Sequence, residues 1–244
     1  KILATPRNYP EDRVFCLQQQ RKNHHGCLLA DEMGLGKTLQ VIAHLCCLDV
    51  QVQHLIIAPT SLIYNWQNEI LRFAPQLMPQ LTLVSYDMLR IHLENYINHH
   101  YDTIIIDEAQ IVKNRQTKKY QAISKLDCKH KIILTGTPIE NSIEELWSHF
   151  MILMPPLKSL YQRLHRLGVQ TQPETYISIT SKLLKPFILR REKQVVLSDL
   201  PERIEKIIFI ELTDQERKNY QNIHTAILQA FATGLSGRLS SIAL

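Results

Sequence analysis

Residues 31–38, Asp-Glu-Met-Gly-Leu-Gly-Lys-Thr, set two glycines, a lysine and a threonine between an apolar run and a helix-like pattern. Gly34 and Gly36 carry no Cβ, so their amides can approach phosphate oxygens closely. A helix starting at about Lys37 aims its free N–H groups and positive dipole end at the same anion. Lys37 can then neutralise the β- and γ-phosphates, and the Thr38 hydroxyl can ligate Mg²⁺. Met33, Gly34, Leu35, Gly36, Lys37 and Thr38 are therefore the candidate cradle of a nucleotide. The generic pattern G-x-x-x-x-G-K-[ST] is missed at its first position, where Asp31 stands. A glycine turn with a chance lysine is the bland alternative. The strand-like run before it and the helix after it favour phosphate binding.

A phosphate site needs acidic partners for its metal. In "TIIIDEAQ" (103–110), Asp107 and Glu108 end a β-branched run. Open α/β sheets bind ligands at that end of their strands. Asp107 is the candidate Mg²⁺ ligand and Glu108 the candidate general base for an attacking water. The alternative is a solvated acidic turn, which loses weight beside a phosphate loop. "LTGTPIEN" (134–141) follows another apolar run, with Thr135, Gly136 and Thr137 beside the same edge. Such a loop suits sensing of the γ-phosphate; by itself it also reads as a capped strand-to-helix turn.

The elements that must position these groups are legible as a rhythm. Five short apolar runs recur: 27–31, 54–59, 81–86, 101–107 and 130–136. They are too short for helices and rich in Ile, Leu and Val, as strands buried on both faces of a parallel sheet are. Between them lie helical patterns. In "SLIYNWQNEILRF", Leu62, Trp66, Ile70 and Phe73 share a face, with Thr60 or Ser61 as N-cap. The alternation predicts a doubly wound, mostly parallel α/β sheet flanked by helices, with a C-terminal helical protrusion. "SIEELWSHFMILM" reads as a helix stopped by Pro155 and Pro156. Residues 158–185 read as helical, with Pro173 as a start signal. A strand is expected within 202–212. A helix with a Thr213–Glu216 capping box is expected over 213–231. The boundaries drawn are a nucleotide-binding lobe over 1–150, a helical insertion and linking segment over 151–200, and a returning strand and helix over 201–244.

The chain has 244 residues, 45% of them apolar and 21% charged, as a globular protein does. No apolar run approaches the roughly 20 residues that span a bilayer. The net charge of +5 permits a polyanionic partner without demonstrating one. Cys16, Cys27, Cys46, Cys47 and Cys128 form no C-x-x-C pair and read as reduced core thiols of an intracellular protein. Histidines beside loops, such as His24-His25 and His99-His100, read as solvated. The chain begins at Lys1 with no signal peptide, so a piece of a longer protein is expected.

Six stretches in order together resemble helicase superfamily two, specifically its SWI/SNF-type DNA translocases. "DEMGLGKT" has that family's form of the phosphate loop. "IIAPTSLIYNWQNEI" (56–70) resembles motif Ia, and "SYDMLR" (85–90) the segment after it. "DEAQIVKN" (107–114) resembles motif II, and "LTGTPIENSIEELWSHFMILMP" (134–155) motif III with its helix. "PFILRREKQVVLSDLPERIE" (186–205) resembles the Leu-Arg-Arg segment and linking stretch. "DEAQ", "GTPIEN" and "DLPER" are closer to prokaryotic members than to eukaryotic chromatin remodellers.

The resemblance implies a RecA-like form of that sheet, in an ATP- and Mg²⁺-using DNA-dependent ATPase acting on double-stranded DNA and remodelling DNA-bound proteins. It implies Lys37, Asp107 and Glu108 as catalytic residues, and Thr38 with Asp107 as metal ligands. Pro59, Thr60, Ser61, Lys113, Asn114 and Thr135 are the implied DNA contacts, with Arg190, Arg191 and Lys193 as outlying candidates. Gln110, Gly136 and Thr137 are the implied coupling residues. The implied location is the cytoplasm or nucleoid of a prokaryote, or a eukaryotic nucleus. Three departures stand out. Residues 8–20 lack the Arg-x-Tyr-Gln stretch whose glutamine reads adenine. Two helical connections are short. Nothing resembles the second RecA-like lobe and its arginine finger. The rival expectations are a strand-separating helicase and a non-enzymatic lobe that docks partners.

Overall fold

A computed structural model of the chain describes residues 9–49, 51–136, 143–170, 173–193, 209 and 211–232. It divides into two compact units, residues 1–199 and 200–244.

The first unit is built on six strands: β1 (Cys27–Leu29), β2 (His54–Ala58), β3 (Leu81–Ser85), β4 (Tyr101–Ile106), β5 (Cys128–Leu134) and β6 (Ile188–Leu189). Their order across the sheet is β3-β2-β4-β5-β1-β6, and every pairing is parallel. Helices follow the strands: α2 (Lys37–Cys46), α3 (Thr60–Phe73), α4 (Tyr86–Ile91), α5 (Glu94–Ile97), α6 (Lys118–Ser124) and α7 (Ile143–Leu153). Ahead of β1 stands α1 (Tyr9–Lys22), and α8 (Leu157–Gln170) and α9 (Pro173–Leu184) precede β6.

Strand residues alternate between two cores. Leu28, Leu55, Ile57, Ile104, Ile106 and Ile133 face Leu146, Trp147 and Phe150 of α7. Leu29, Ile56, Ala58, Ile105, Ile132 and Leu134 face Val41, Ile42, Trp66 and Ile70 of α2 and α3. Both faces are covered, which is why the strands read as unbroken apolar runs. The five expected strands are all present. The sixth, β6, was not foreseen, because two residues carry no periodicity. At the other end of β1, Gly26 lies so close to α7 that a Cβ there would stand 2.7 Å from the Leu153 Cβ.

Two local expectations are corrected. Pro59 is the N-cap of α3, with ψ 147° and no side-chain capping bond, so Thr60 and Ser61 are already inside the helix. Proline's fixed φ lets the helix start directly after it. Cys27 is buried, Cys16, Cys46 and Cys128 are half-buried, and Cys47 is exposed. Burial pushes the Cys27 thiol up to about 12 and Cys128 to about 11, so neither is a ready nucleophile.

In the second unit, α10 (Asp214–Ala232) begins with the expected capping box. The Thr213 N–H donates to Glu216 Oε2 at 2.9 Å, and the Glu216 N–H donates to Thr213 Oγ1 at 3.4 Å. The strand expected within 202–212 lies outside the described residues, apart from 209, 211 and 212, which are in no strand or helix.

A group of histidines that the sequence does not single out is buried at the N-terminal edge of the sheet. His54, Thr103 and His130 lie in register on β2, β4 and β5, and the His44 ring of α2 is 5.8 Å from that of His130. Beside them the buried Asp102 accepts from Arg21 NH2 at 2.6 Å. Burial pushes His44 down to about 3, helped by His130 and Arg21. Burial and Arg21 push His130 down to about 4. Both rings are neutral in the fold at pH 7, and an unfolded chain takes up protons on them first as pH falls. Their contribution to stability is therefore constant above the ordinary histidine value of about 6.5 and declines below it, down to the folded-state values. Thermal melts should show the midpoint falling from pH 6.5 towards 4. A His44→Gln/His130→Gln double variant should flatten that slope.

Candidate nucleotide site

β1, β5 and β4 lie side by side, so the loops after them share one edge of the sheet. After β1 the backbone takes left-handed conformations at Gly34 (φ 86°) and Gly36 (φ 72°, ψ 37°), where a Cβ would be strained. Gly36 caps α2 without any side-chain hydrogen bond, so the first-turn amides are available to an anion. Lys37 Nζ donates to the Asp31 carbonyl at 2.7 Å, folding the side chain back along the loop. Burial pushes the Lys37 ammonium down, while Glu108, then Asp107, then Asp31 pull it up. The lysine and the acidic pair therefore lie within electrostatic reach of each other, as the sequence predicts. Thr38 is half-buried in the first turn of α2.

Asp31, the departure from the generic pattern, is fully buried. It is gripped by Arg191, with NH2 to Oδ2 at 2.6 Å and Nε to Oδ1 and Oδ2 at 3.3 and 3.2 Å. Gln40 Nε2 donates to Asp31 Oδ2 at 3.2 Å and to the Leu35 carbonyl at 2.9 Å, bracing the loop from inside. A phosphate loop ordinarily has a glycine at this position; here a carboxylate holds the loop to a distant segment.

At the end of β4, Asp107 is 8% exposed. Its Oδ2 accepts from Trp66 Nε1 at 2.8 Å and its Oδ1 from the Glu108 N–H at 2.9 Å. The Tyr86 hydroxyl donates to its carbonyl at 2.6 Å, and its N–H donates to the Ile57 carbonyl at 2.8 Å. Burial pushes the Asp107 carboxyl up, and the Trp66 N–H offsets part of that. A carboxylate has about four lone-pair sites, so these two donors leave capacity for a metal ion or its water. The donor set of Thr38 and Asp107, hard oxygens beside a phosphate cradle, fits Mg²⁺. Trp66 is in the core, as expected, and its N–H also orients the candidate metal ligand. That function was missed: in the sequence a tryptophan at helical spacing reads as packing. Tyr86 was missed for the same reason.

Glu108 is left-handed (φ 50°, ψ 51°), an uncommon conformation for a residue with a side chain. Gln110 Nε2 donates to Glu108 Oε2 at 2.6 Å, and Thr135 Oγ1 donates to Gln110 Oε1 at 3.3 Å. A polar chain thus joins the acidic loop to the loop after β5. A Cβ on Gly136 would stand 3.1 Å from Met33 Cγ, so that loop also touches the phosphate loop. Thr137, the third residue expected in coupling, lies outside the described residues.

The residues expected to contact DNA are distributed unevenly. Pro59, Thr60 and Ser61 stand at the same sheet edge, with Thr60 and Ser61 exposed. Lys113 pairs with Glu145 at 3.3 Å, and Asn114 Oδ1 accepts the Gln116 N–H at 2.9 Å. Thr135 is corrected: it is fully buried, so its hydroxyl serves the polar chain and has no surface for a phosphate. Arg191 is committed to Asp31. Arg115 stacks 4.6 Å over the Tyr161 ring and reaches the Tyr161 hydroxyl at 3.0 Å. Tyr161 and Tyr176 both donate to Glu144, at 2.6 and 3.0 Å, tying α7, α8 and α9 together.

This arrangement has known counterparts. A family model described as the SNF2-related domain matches residues 12–83 and 78–243. The putative ATP-dependent helicase/translocase YwqA of Bacillus subtilis is 35% identical over 251 residues, covering 90% of this chain and 27% of that protein. The TATA-binding protein-associated factor MOT1 of Saccharomyces cerevisiae is 33% identical over 275 residues, covering 91% of this chain and 14% of that protein. Bacterial and fungal relatives thus stand at similar identity, and the chain spans a minor part of each. Among solved structures, the Sulfolobus solfataricus SWI2/SNF2 ATPase core in complex with dsDNA superposes with a TM-score of 0.73 at 30% identity, covering 95% of this chain and 54% of that one. The Sulfolobus solfataricus SWI2/SNF2 ATPase core domain superposes with a TM-score of 0.71 at 31% identity, covering 93% of this chain and 52% of that one. With its sheet order, its glycine loop and a family model matching most of its length, the chain belongs to the SNF2-related domain family.

Proposed function

We propose that this chain is the first RecA-like lobe of a DNA-dependent ATPase that moves along double-stranded DNA and remodels DNA–protein complexes. The observation that carries this reading is the convergence of the Lys37 ammonium and the Asp107–Glu108 pair on one sheet edge, beside two left-handed glycines. Phosphoryl transfer to water is mostly positioning and charge stabilisation. The amides after Gly36 and the Lys37 ammonium hold the phosphates. Thr38 and Asp107 would hold Mg²⁺, which would supply positive charge against the phosphates. Glu108 accepts a proton from the attacking water. Its Gln110–Thr135 chain carries any shift of that carboxylate to the loop containing Gly136 and Thr137.

The DNA-facing surface in this proposal is the open N-terminal turn of α3 with Pro59, Thr60 and Ser61, joined by Lys113 and Asn114. Hydroxyls, amides and lysines grip phosphates without reading bases. The segment over 151–200 is proposed as a helical insertion and linker, and 201–244 as the path towards a second lobe. That lobe would supply an arginine worth roughly 10³–10⁵ in rate. The free cysteines accord with a reducing, intracellular compartment; among the described residues no helix is long and apolar enough to cross a membrane. The strand-separating alternative draws no support from a specific contact. The intact Lys37, Thr38, Asp107 and Glu108 weigh against a degenerate docking lobe.

Four outcomes test this reading. In the intact protein, Lys37→Ala should abolish ATP turnover. Glu108→Gln should keep ATP affinity in calorimetry while cutting turnover by about 10²–10⁴; equal loss of both would reject Glu108 as the base. Trp66→Phe keeps an apolar ring but frees Asp107 Oδ2, so the Mg²⁺ concentration for half-maximal turnover should rise by about tenfold, the lower end for loss of a residue orienting a metal ligand. A triplex-displacement assay should be positive and a strand-displacement assay negative, with duplex affinity falling linearly in log salt and varying little with sequence; displaced single strands would favour the helicase alternative.

A further inference from the structure

The segment following β6 returns to the glycine loop. The Ala30 N–H donates to the Leu189 carbonyl at 2.7 Å and the Glu32 N–H to the Arg191 carbonyl at 3.0 Å, extending the β1–β6 pairing past both strands. The Arg191–Asp31 pair locks the two segments by side chains, and the Lys193 N–H donates to Glu32 Oε2 at 2.6 Å. The Lys193 backbone is thus held on alternate main-chain and side-chain contacts. Its side chain runs over the loop: a Cβ on Gly34 would stand 3.4 Å from Lys193 Cε and 3.5 Å from Nζ. Among the described residues this ammonium has neither a hydrogen-bond acceptor nor an ion-pair partner.

Lys193 is close enough to Lys37 that its charge disfavours the Lys37 ammonium. Two ammonium groups held at one glycine loop repel each other unless an anion lies between them. We propose that Lys193 is a second phosphate-binding lysine of the nucleotide site, reaching the triphosphate across Gly34 from the Leu-Arg-Arg segment. This rests on the nucleotide reading given above. It moves Lys193 from the DNA surface suggested by its sequence to the ATP phosphates. It also means that a bound triphosphate draws the connecting segment onto the loop, whereas a nucleotide with fewer phosphates holds it less.

Calorimetric titration of the intact protein with ATP, ADP and AMP in the presence of Mg²⁺ tests this. Lys193→Gln should weaken ATP by about tenfold, ADP less and AMP scarcely at all, as loss of one charge-assisted contact predicts. Lys193→Arg should restore ATP affinity to within about threefold, because the cation is kept. Nucleotide-free duplex binding should be unchanged in both variants. An unchanged ATP affinity, or equal weakening of all three nucleotides, would overturn the proposal. Weaker duplex binding with ATP affinity intact would overturn it in favour of a DNA contact. An unsubstituted protein that binds ATP no better than Lys37→Ala would remove the nucleotide reading itself, and Lys193's role with it.

Discussion

Asp31 has no exposed surface, and a carboxylate buried without a partner costs several kcal/mol or gives up its charge. Arg191, 160 residues further on, meets it through both Nε and NH2. The pair closes the chain on itself: it joins the first strand's exit loop to the last strand of the sheet, just where the glycine loop must be held still. Such a pair is weak evidence for net stability, since desolvation cancels much of the attraction. Its value lies in geometry, because a fork-shaped guanidinium admits one placement of the carboxylate, and with it one placement of the loop.

The same economy governs the acidic side. A parallel sheet covered on both faces leaves its polar chemistry at the strand ends. There Asp107 sits with Trp66, Tyr86, the Glu108 amide and the Ile57 carbonyl around it. Each partner comes from a different element, so the position of the carboxylate is set by the packing of α3, α4 and β2 rather than by its own loop. Preorganisation of this kind is what phosphoryl transfer requires, since little covalent chemistry is left for the protein. Glu108, next in the chain, takes up backbone strain and is tied by Gln110 to Thr135. The element that would activate water is thereby the element linked to a neighbouring loop.

The opposite edge is built differently. His44, His54 and His130 are enclosed beside the Arg21–Asp102 pair, and burial keeps His44 and His130 neutral at pH 7. Arg115 lies under Tyr161, while Glu144 ties Tyr161 to Tyr176 and so draws α8 and α9 to α7. Both groups brace the frame that carries the glycine loop.

Local chemistry made much of this legible in advance. Apolar runs bounded by turns mark strands, three- and four-residue spacing marks helices, and glycines before Lys-Thr mark a phosphate turn; each depends on neighbours in the chain. By itself the sequence determined the five central strands, the Thr213–Glu216 cap, and Lys37 with Asp107 and Glu108 at one sheet edge. Only the tertiary structure decided the partners of Asp31, the second duty of Trp66, the burial of Thr135 and three histidines, the two-residue strand β6 and the reach of Lys193 over Gly34. All of these depend on contacts between residues far apart in the chain. No periodicity encodes such contacts, because each arises from how packed elements meet in space.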